Sequence, residues 1–265
     1  MKQLLLALSL FAVAFAACSG DDDDAEPTAA PTTSSSGAVA TLTKAPAGTS
    51  SSEATSPART PAASAQTAEA VAAIEKIAMP LDLADGQTIG KSDAKILLTV
   101  FEDFQCPHCL NYTVKFEGII AEYVKAGKIR YEVKHLPILG AESAKAAAAA
   151  YCTSLQGRFW EMHKSLYLAQ AKEGQLTSEK TNVGRFADDK LRQFAIAAGA
   201  EGTAYDSCYA ASTTIDALTA QIKDAQTLGF RGTPAFAIDG VALNGSPTTP
   251  DGWRKLLDDA IAARK

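Results

Sequence analysis

Apolar and polar positions divide the chain into three stretches. An apolar run from Leu4 to Ala17 gives way, over residues 19–66, to Asp, Thr, Ser, Ala and Pro, with Val39 and Leu42 as the only large aliphatic residues. Beyond this, strand-like runs mix with helical periodicity. Ile96-Leu97-Leu98-Thr99-Val100-Phe101 is a continuous apolar and β-branched run, the pattern of a buried strand. Strands are expected at 96–104, 129–135, 235–239 and 241–244. Leu110, Val114, Ile119, Ile120, Tyr123 and Val124 recur at helical spacing up to a stop at Gly127. Residues 141–229 are Ala-rich and helical in period, with helices expected at 142–155, 159–169, 190–198 and 215–228, and residues 252–265 read as a closing helix. A helix joining the first two strands makes them parallel, with a right-handed crossover. Asp239-Gly240 predicts a hairpin between the last two strands. The expectation is an α/β fold in which a helical subdomain, 141–229, is inserted between the second and third strands.

The aromatic residues are unevenly placed, with no Phe, Tyr or Trp between Phe15 and Phe101, so the core is expected C-terminal to that gap. Lys2 followed by an apolar run shorter than the ~20 residues needed to span a bilayer reads as a secretory signal over residues 1–17. The run ends Phe15-Ala16-Ala17-Cys18, which resembles a bacterial lipobox, with Phe15 where Leu is usual. That resemblance implies lipidation of Cys18; a plain signal peptide is the alternative. Residues 18–66 cannot bury enough apolar surface to offset chain ordering and are expected to be a disordered tether, with a mean span of about 35–42 Å. It would serve as a swinging arm or a passive spacer. Residues 67–265 form the expected folded domain. The formal net charge is -5. Residues 19–66 hold six acids against Lys44 and Arg59, and Lys2 adds one positive charge, which leaves 67–265 near neutral at -2. That balance offers no electrostatic footprint for nucleic acid.

With Cys18 set aside, four cysteines remain for an oxidising compartment. Cys106 and Cys109 form the natural local pair, which leaves Cys152 with Cys208. A bridge there closes roughly 57 residues and is worth roughly 4 kcal/mol in the loop-entropy picture. Two buried free thiols are the alternative.

The strongest chemical signal is Asp103-Phe104-Gln105-Cys106-Pro107-His108-Cys109, where a strand turns into a helix. Pro is favoured at the first helical position, so Pro107 puts Cys106 at the N-cap. There its sulfur faces free backbone N–H groups and the positive end of the helix dipole. His108 is expected to add a contact that favours the thiolate. Cys106 is then the nucleophile and Cys109, one turn further in, the resolving thiol. A fall of the Cys106 pKa from ~8.5 to ~4 would stabilise the reduced form by roughly 4 kcal/mol at pH 7. That is about 90 mV of the roughly 150 mV separating thioredoxin from a strong oxidant.

This segment resembles the active site of the DsbA-like thiol oxidases of the thioredoxin superfamily, whose oxidase branch carries Pro-His between the cysteines. Gln156-Gly157-Arg158-Phe159-Trp160-Glu161-Met162-His163 is similar to the family's helical-insertion signature, and Gly232-Thr233-Pro234-Ala235-Phe236 to its cis-proline strand. The resemblance covers roughly residues 85–265. It implies a thioredoxin fold with a helical insertion, a cis Thr233-Pro234 bond lying against the CxxC, and a Thr233 backbone that pairs with substrate. It also implies a structural Cys152–Cys208 disulfide, and a membrane-bound, quinone-linked partner that reoxidises the site. Relatives often bury an acid six residues before the first cysteine, where this chain has Val100. Glu102 or Asp103 would then take the resolving thiol's proton, unless both are solvated charges at a strand end.

The function expected is a membrane-tethered, extracytoplasmic thiol:disulfide oxidoreductase that introduces disulfides into exported proteins. A reductase or isomerase of the same fold is the nearer alternative, and a lipid-anchored binding module with purely structural cysteines is the more distant one. His135 is expected on the surface or in packing, and His163 and Phe159, Trp160 and Met162 in the structural core of the insertion. No cofactor is expected. Haem attachment needs His after Cys109, where Leu110 stands, and zinc needs four ligands where one CxxC exists.

Overall fold

The computed structural model describes residues 61–264. The signal at 1–17, Cys18 and the tether up to residue 60 lie outside the described residues. The chain begins with α1 (Pro61–Lys76), a 3-10 turn at Leu81–Leu83, and two short strands, β1 (Ala84–Asp85) and β2 (Thr88–Ile89). Then follow β3 (Ile96–Glu102), α2 (Pro107–Tyr112), a π turn at Thr113–Glu117, α3 (Gly118–Lys125) and β4 (Ile129–His135). Five helices come next: α4 (Ala141–Ser154), α5 (Phe159–Lys172), α6 (Asp188–Ala197), α7 (Gly202–Tyr209) and α8 (Ser212–Thr227). The chain closes with β5 (Ala235–Ile238), β6 (Val241–Ala242) and α9 (Pro250–Ala262). Among the described residues no helix is long and apolar enough to cross a membrane.

The strands form one sheet in the order β1-β2-β4-β3-β5-β6. β3 and β4 are parallel, with Val100 opposite Val133 and Glu102 opposite His135. β5 is antiparallel to β3, with Phe236 opposite Val100. β3 is the central strand and is buried on both faces, which is why it reads as a continuous apolar run. β4 alternates buried and half-buried positions, as a strand with one covered face does. The helical segment 107–125 supplies the crossover that parallel strands require.

β3 ends at Glu102 rather than running to residue 104. The Asp103 carboxylate accepts hydrogen bonds from the backbone N–H of Gln105 at 2.8 Å, Ile138 at 2.8 Å and Leu139 at 2.9 Å. The N–H of Cys106 closes the turn on the Asp103 carbonyl at 2.9 Å. The β5–β6 hairpin turns through Asp239 at φ 50° and Gly240 at φ 77°, the paired positive φ values of a type I′ turn.

The insertion runs from Ala141 to Thr227 and is tied by a disulfide between Cys152 of α4 and Cys208 of α7, with Cα atoms 5.7 Å apart. α7, β1 and β2 were not expected from the sequence pattern. Residues 61–66, assigned to the tether, are instead the opening of α1, which packs against α5. Ala70 and Ile74 are buried in that contact, and this apolar anchorage extends the folded region N-terminally.

Candidate active site

Cys106 takes the N-cap position of α2, in extended backbone conformation at φ -74° and ψ 122°, with Pro107 as the first helical residue. The rigid ring pre-sets the helical φ and removes a donor that would otherwise go unpaired. Cys106 is buried to 5% exposure and Cys109 completely; both are free thiols. From the far end of the insertion, the cis Thr233–Pro234 bond returns the chain to the same place. The Cys106 thiol donates to the Thr233 carbonyl oxygen at 3.3 Å.

The two sulfurs have opposite electrostatics. Cys106 is lowered from 9.0 to about 6, first by donation from the Cys109 thiol. The Thr233 side chain and the backbone N–H groups of Cys109 and His108 add to this, and burial opposes it. Burial pushes the Cys109 thiol well up, and the charges of Cys106 and Glu102 push it further. His108 reaches Cys106 through its backbone; its side chain is exposed and Pro107 half-buried. The His108 side chain lines a groove of about 380 Å³ together with Tyr112, Phe116, Thr233, Pro234 and Phe236. The site can therefore hold a thiolate at the surface-facing sulfur and a neutral thiol behind it, with a groove of mixed polar and aromatic lining alongside.

The turn that carries Cys106 is fastened from beneath. Gln105 is fully buried. Its side-chain amide donates to Ser143 Oγ at 2.9 Å and accepts from the N–H of Asn182 at 2.7 Å. Gln175 Nε2 donates to the Gln105 carbonyl at 3.0 Å, and Arg185, also buried, donates to Gln175 Oε1 at 3.0 Å. Gly140 makes the approach of Asn182 possible, since a Cβ at that position would sit 2.4 Å from its Nδ2. These contacts lock the strand-to-helix turn onto the helical insertion.

Glu102 and Asp103 are not solvated charges: each is 1% exposed. Asp103 is committed to the three backbone donors described above. Glu102 instead meets His163, whose Nε2 lies 2.9 Å from Glu102 Oε1 and 3.8 Å from Glu117 Oε1. Burial lowers the His163 pKa, but Glu102 and then Glu117 outweigh it and the group is raised to about 9. Burial raises Glu117 to about 7 against the pull of His163, and Tyr131 donates to its Oε1 at 3.4 Å. The structural role expected for His163 includes, besides packing, a close approach to two buried acidic side chains. His135 is fully buried among the Phe104 and Phe159 rings and pushed down to about 3 by burial and by His163. It is a packing residue, not a surface one. Phe159, Trp160 and Met162 are buried core.

Glu117 was missed by the sequence reading. It follows Thr113 by four residues, and the π turn directs Thr113, Phe116 and Glu117 inward. An acid on the buried stripe of a helix was the available signal. His163 gave the same signal on the face shared by Phe159, Leu166 and Tyr167. Among the described residues no group of three or more His, Cys, Asp or Glu could hold a metal ion.

Residues 83–259 match the family model Thioredoxin_4, described as thioredoxin. Among curated proteins, the chain is 25% identical over 169 residues to Na(+)/H(+) antiporter NhaA 1 of Mycolicibacterium gilvum, covering 62% of this chain and 25% of the relative. It is 32% identical over 90 residues to probable disulfide bond formation protein D of Bacillus anthracis, covering 33% of this chain and 42% of the relative. The chain thus spans about a quarter of the antiporter and under half of the second protein. The solved structure of oxidised BdbD from Bacillus subtilis superposes with a TM-score of 0.57 at 17% identity, over 67% of this chain and 94% of that one, a likeness of fold.

Proposed function

The chain belongs to the thioredoxin family, and from that premise we propose that it is a thiol:disulfide oxidoreductase that donates a Cys106–Cys109 disulfide to thiols of exported proteins. A substrate thiolate attacks Cys106 Sγ, the Cys106–Cys109 bond breaks, and Cys109 leaves with the electron pair and takes a proton. A second substrate thiolate then attacks the mixed disulfide and Cys106 leaves as a thiolate. The substrate loses two electrons and the pair gains them. The observation that carries this reading is the lowered Cys106 sulfur, at about 6, in front of a buried, neutral Cys109. A stable thiolate is a good leaving group. Thr233 and Pro234, held against the sulfur, are suited to receive an extended substrate segment, and the mixed polar and aromatic groove beside His108 to receive its side chains.

Reoxidation requires an electron acceptor, for which family resemblance suggests a quinone-linked membrane protein. A lipid at Cys18 and the tether beyond it would keep the domain at the extracytoplasmic face of the membrane. A lowering to about 6 rather than ~4 favours, as a second reading, exchange in the isomerase or reductase direction. Oxidative refolding of a reduced substrate, run beside insulin reduction, separates the two. Cys106→Ser should abolish both activities, and full activity of that variant rejects the proposal. A pair inert to dithiol reagents would leave only a binding module.

A further inference from the structure

The Thr233–Pro234 segment that lies against Cys106 separates two open grooves, and Thr233, Pro234, Phe236 and Ser246 line both. The first, of about 420 Å³, runs beside residues 229–236 and includes Arg231. The second, of about 380 Å³, runs along α2 and the π turn and includes His108, Asn111 and Lys115. Neither groove is lined by an Asp or a Glu. Arg231 and Lys115 are exposed, and among the described residues neither has an ion-pair or hydrogen-bond partner. Five other arginines, Arg158, Arg185, Arg192, Arg254 and Arg264, each pair with a carboxylate. Glu69 of α1 and Lys115 share a third groove without an ion pair between them, so Arg231 is the less compensated of the two cations. Residues 67–265 carry -2 as a whole. Two unpaired cations beside the dithiol, with no acid on the groove walls, therefore set a local positive field against that average, and such a field favours anionic partners.

We propose, resting on the redox reading of the CxxC, that these grooves select substrates whose cysteine is flanked by acidic residues, with Arg231 as the principal specificity-determining residue and Lys115 as the second. An extended substrate advances about 3.3 Å per residue. Arg231 is two residues from Thr233, so its guanidinium meets a side chain within about two or three residues of the cysteine that attacks Cys106. Lys115 belongs to the groove across the Pro234 segment and takes an acid on the opposite flank. The planar fork of Arg231 matches a carboxylate bidentately. A carboxylate beside a thiol makes that thiol harder to ionise; a cation opposite the carboxylate offsets this during attack, so acid-flanked cysteines lose here the handicap they have in solution. The exchange keeps its balance: a substrate thiolate bonds to Cys106 Sγ, Cys109 leaves with the electron pair, and a second substrate thiolate releases Cys106. Arg231 and Lys115 transfer neither protons nor electrons. Both are exposed, so each contributes a few-fold at low ionic strength and fades with salt.

The test uses the full chain with Cys106 and Cys109 oxidised, and two-cysteine peptides identical except for Asp, Asn or Lys near the cysteines, on one flank or the other. Peptide oxidation is quenched with acid and read by mass. Each rate constant is divided by that of the same peptide with 2-hydroxyethyl disulfide, which removes the peptide's own thiol reactivity. At low salt the Asp peptides should exceed the Asn peptides by about 2–5-fold, and the Lys peptides should trail both. The preference should vanish at 1 M salt, where charges are screened beyond about 3 Å. Arg231→Lys should keep it, Arg231→Gln should remove it on one flank and Lys115→Gln on the other. Arg231→Glu combined with Lys115→Glu should reverse the order in favour of Lys. Peptides are compared within one protein, so any change at Cys106 cancels, and loosened packing does not invert a charge order. Equal normalised rates for the three peptides, or a preference that survives high salt or the Gln variants, overturns the proposal while leaving the redox reading intact. If a variant fails to fold by circular dichroism, the salt dependence of the unaltered protein decides. An unaltered protein that oxidises none of the peptides removes both.

Discussion

The thiolate at Cys106 sets how the redox potential of the pair depends on pH. With Cys106 lowered from 9.0 to about 6, the folded, reduced protein gains about 1.4 kcal/mol at pH 7 relative to an unperturbed thiol. For a two-electron couple this is about 30 mV toward oxidising. It is roughly a fifth of the ~150 mV between thioredoxin and a strong oxidant, and well short of the 90 mV that a pKa near 4 would supply. Below the Cys106 pKa, reduction takes up two protons and the potential should fall by about 59 mV per pH unit. Above it, one proton is taken up and the slope should halve to about 30 mV. The break belongs near pH 6. Equilibration against glutathione buffers over a pH series, with the thiol fraction read by alkylation and mass, measures both quantities. A single steep slope through neutrality, with no break, would refute the reasoning, because Cys106 would then be an ordinary thiol.

Replacing Cys152 and Cys208 together by Ser should cost about 2–5 kcal/mol in denaturant unfolding, since the bridge closes a long loop of the insertion. An unchanged midpoint in the reduced protein would count against it. In the oxidised protein, stability should decline as pH rises from about 6.5 to about 9; below that range His135, lowered from 6.5 to about 3, gains stability with rising pH and offsets Glu117. Glu117, raised from 4.5 to about 7, and His163, raised from 6.5 to about 9, both hold protons more tightly folded than unfolded, so what they contribute at low pH is lost as each folded pKa is passed. Urea midpoints over that range should fall, and in Glu117→Gln they should rise between about pH 4.5 and 6.5, where nothing offsets His135; a curve that rises from 6.5 to 9 would contradict the assignment. Asp103→Ala strands three backbone donors and should cost about 3 kcal/mol or more by the same assay. A loss within a few tenths would mean that water replaces the carboxylate.

Features governed by neighbouring residues were legible in the chain. The buried run before Cys106, Pro107 in the first helical turn and the Asp239-Gly240 hairpin each follow from local backbone preferences. Cys152 with Cys208 followed from elimination among four cysteines and from resemblance. β1 and β2 have two residues each and leave no period to detect. α1 is rich in Ala and small polar residues, so its apolar stripe, ending at Ala70 and Ile74, is narrow and the boundary with the tether was drawn too late. β3 stopped before residue 104 because Asp103 is claimed by donors 35 and 36 residues away, which no local window contains.

What the chain decided alone was the dithiol and its seat: a cysteine, a proline and a strand-to-helix turn suffice to place a sulfur at free backbone donors. What tertiary structure alone decided is the setting of the second sulfur. Glu102, Glu117 and His163 come from a strand, a π turn and a distant helix, and they meet only when the sheet and insertion close on them. Hydrophobic patterning can put Glu117 and His163 on apolar helix faces but names no partner for their charge, and ionised side chains normally stay in water. They stay inside here because each offsets another's charge, and that compensation depends on distances in space and leaves no trace in residue order.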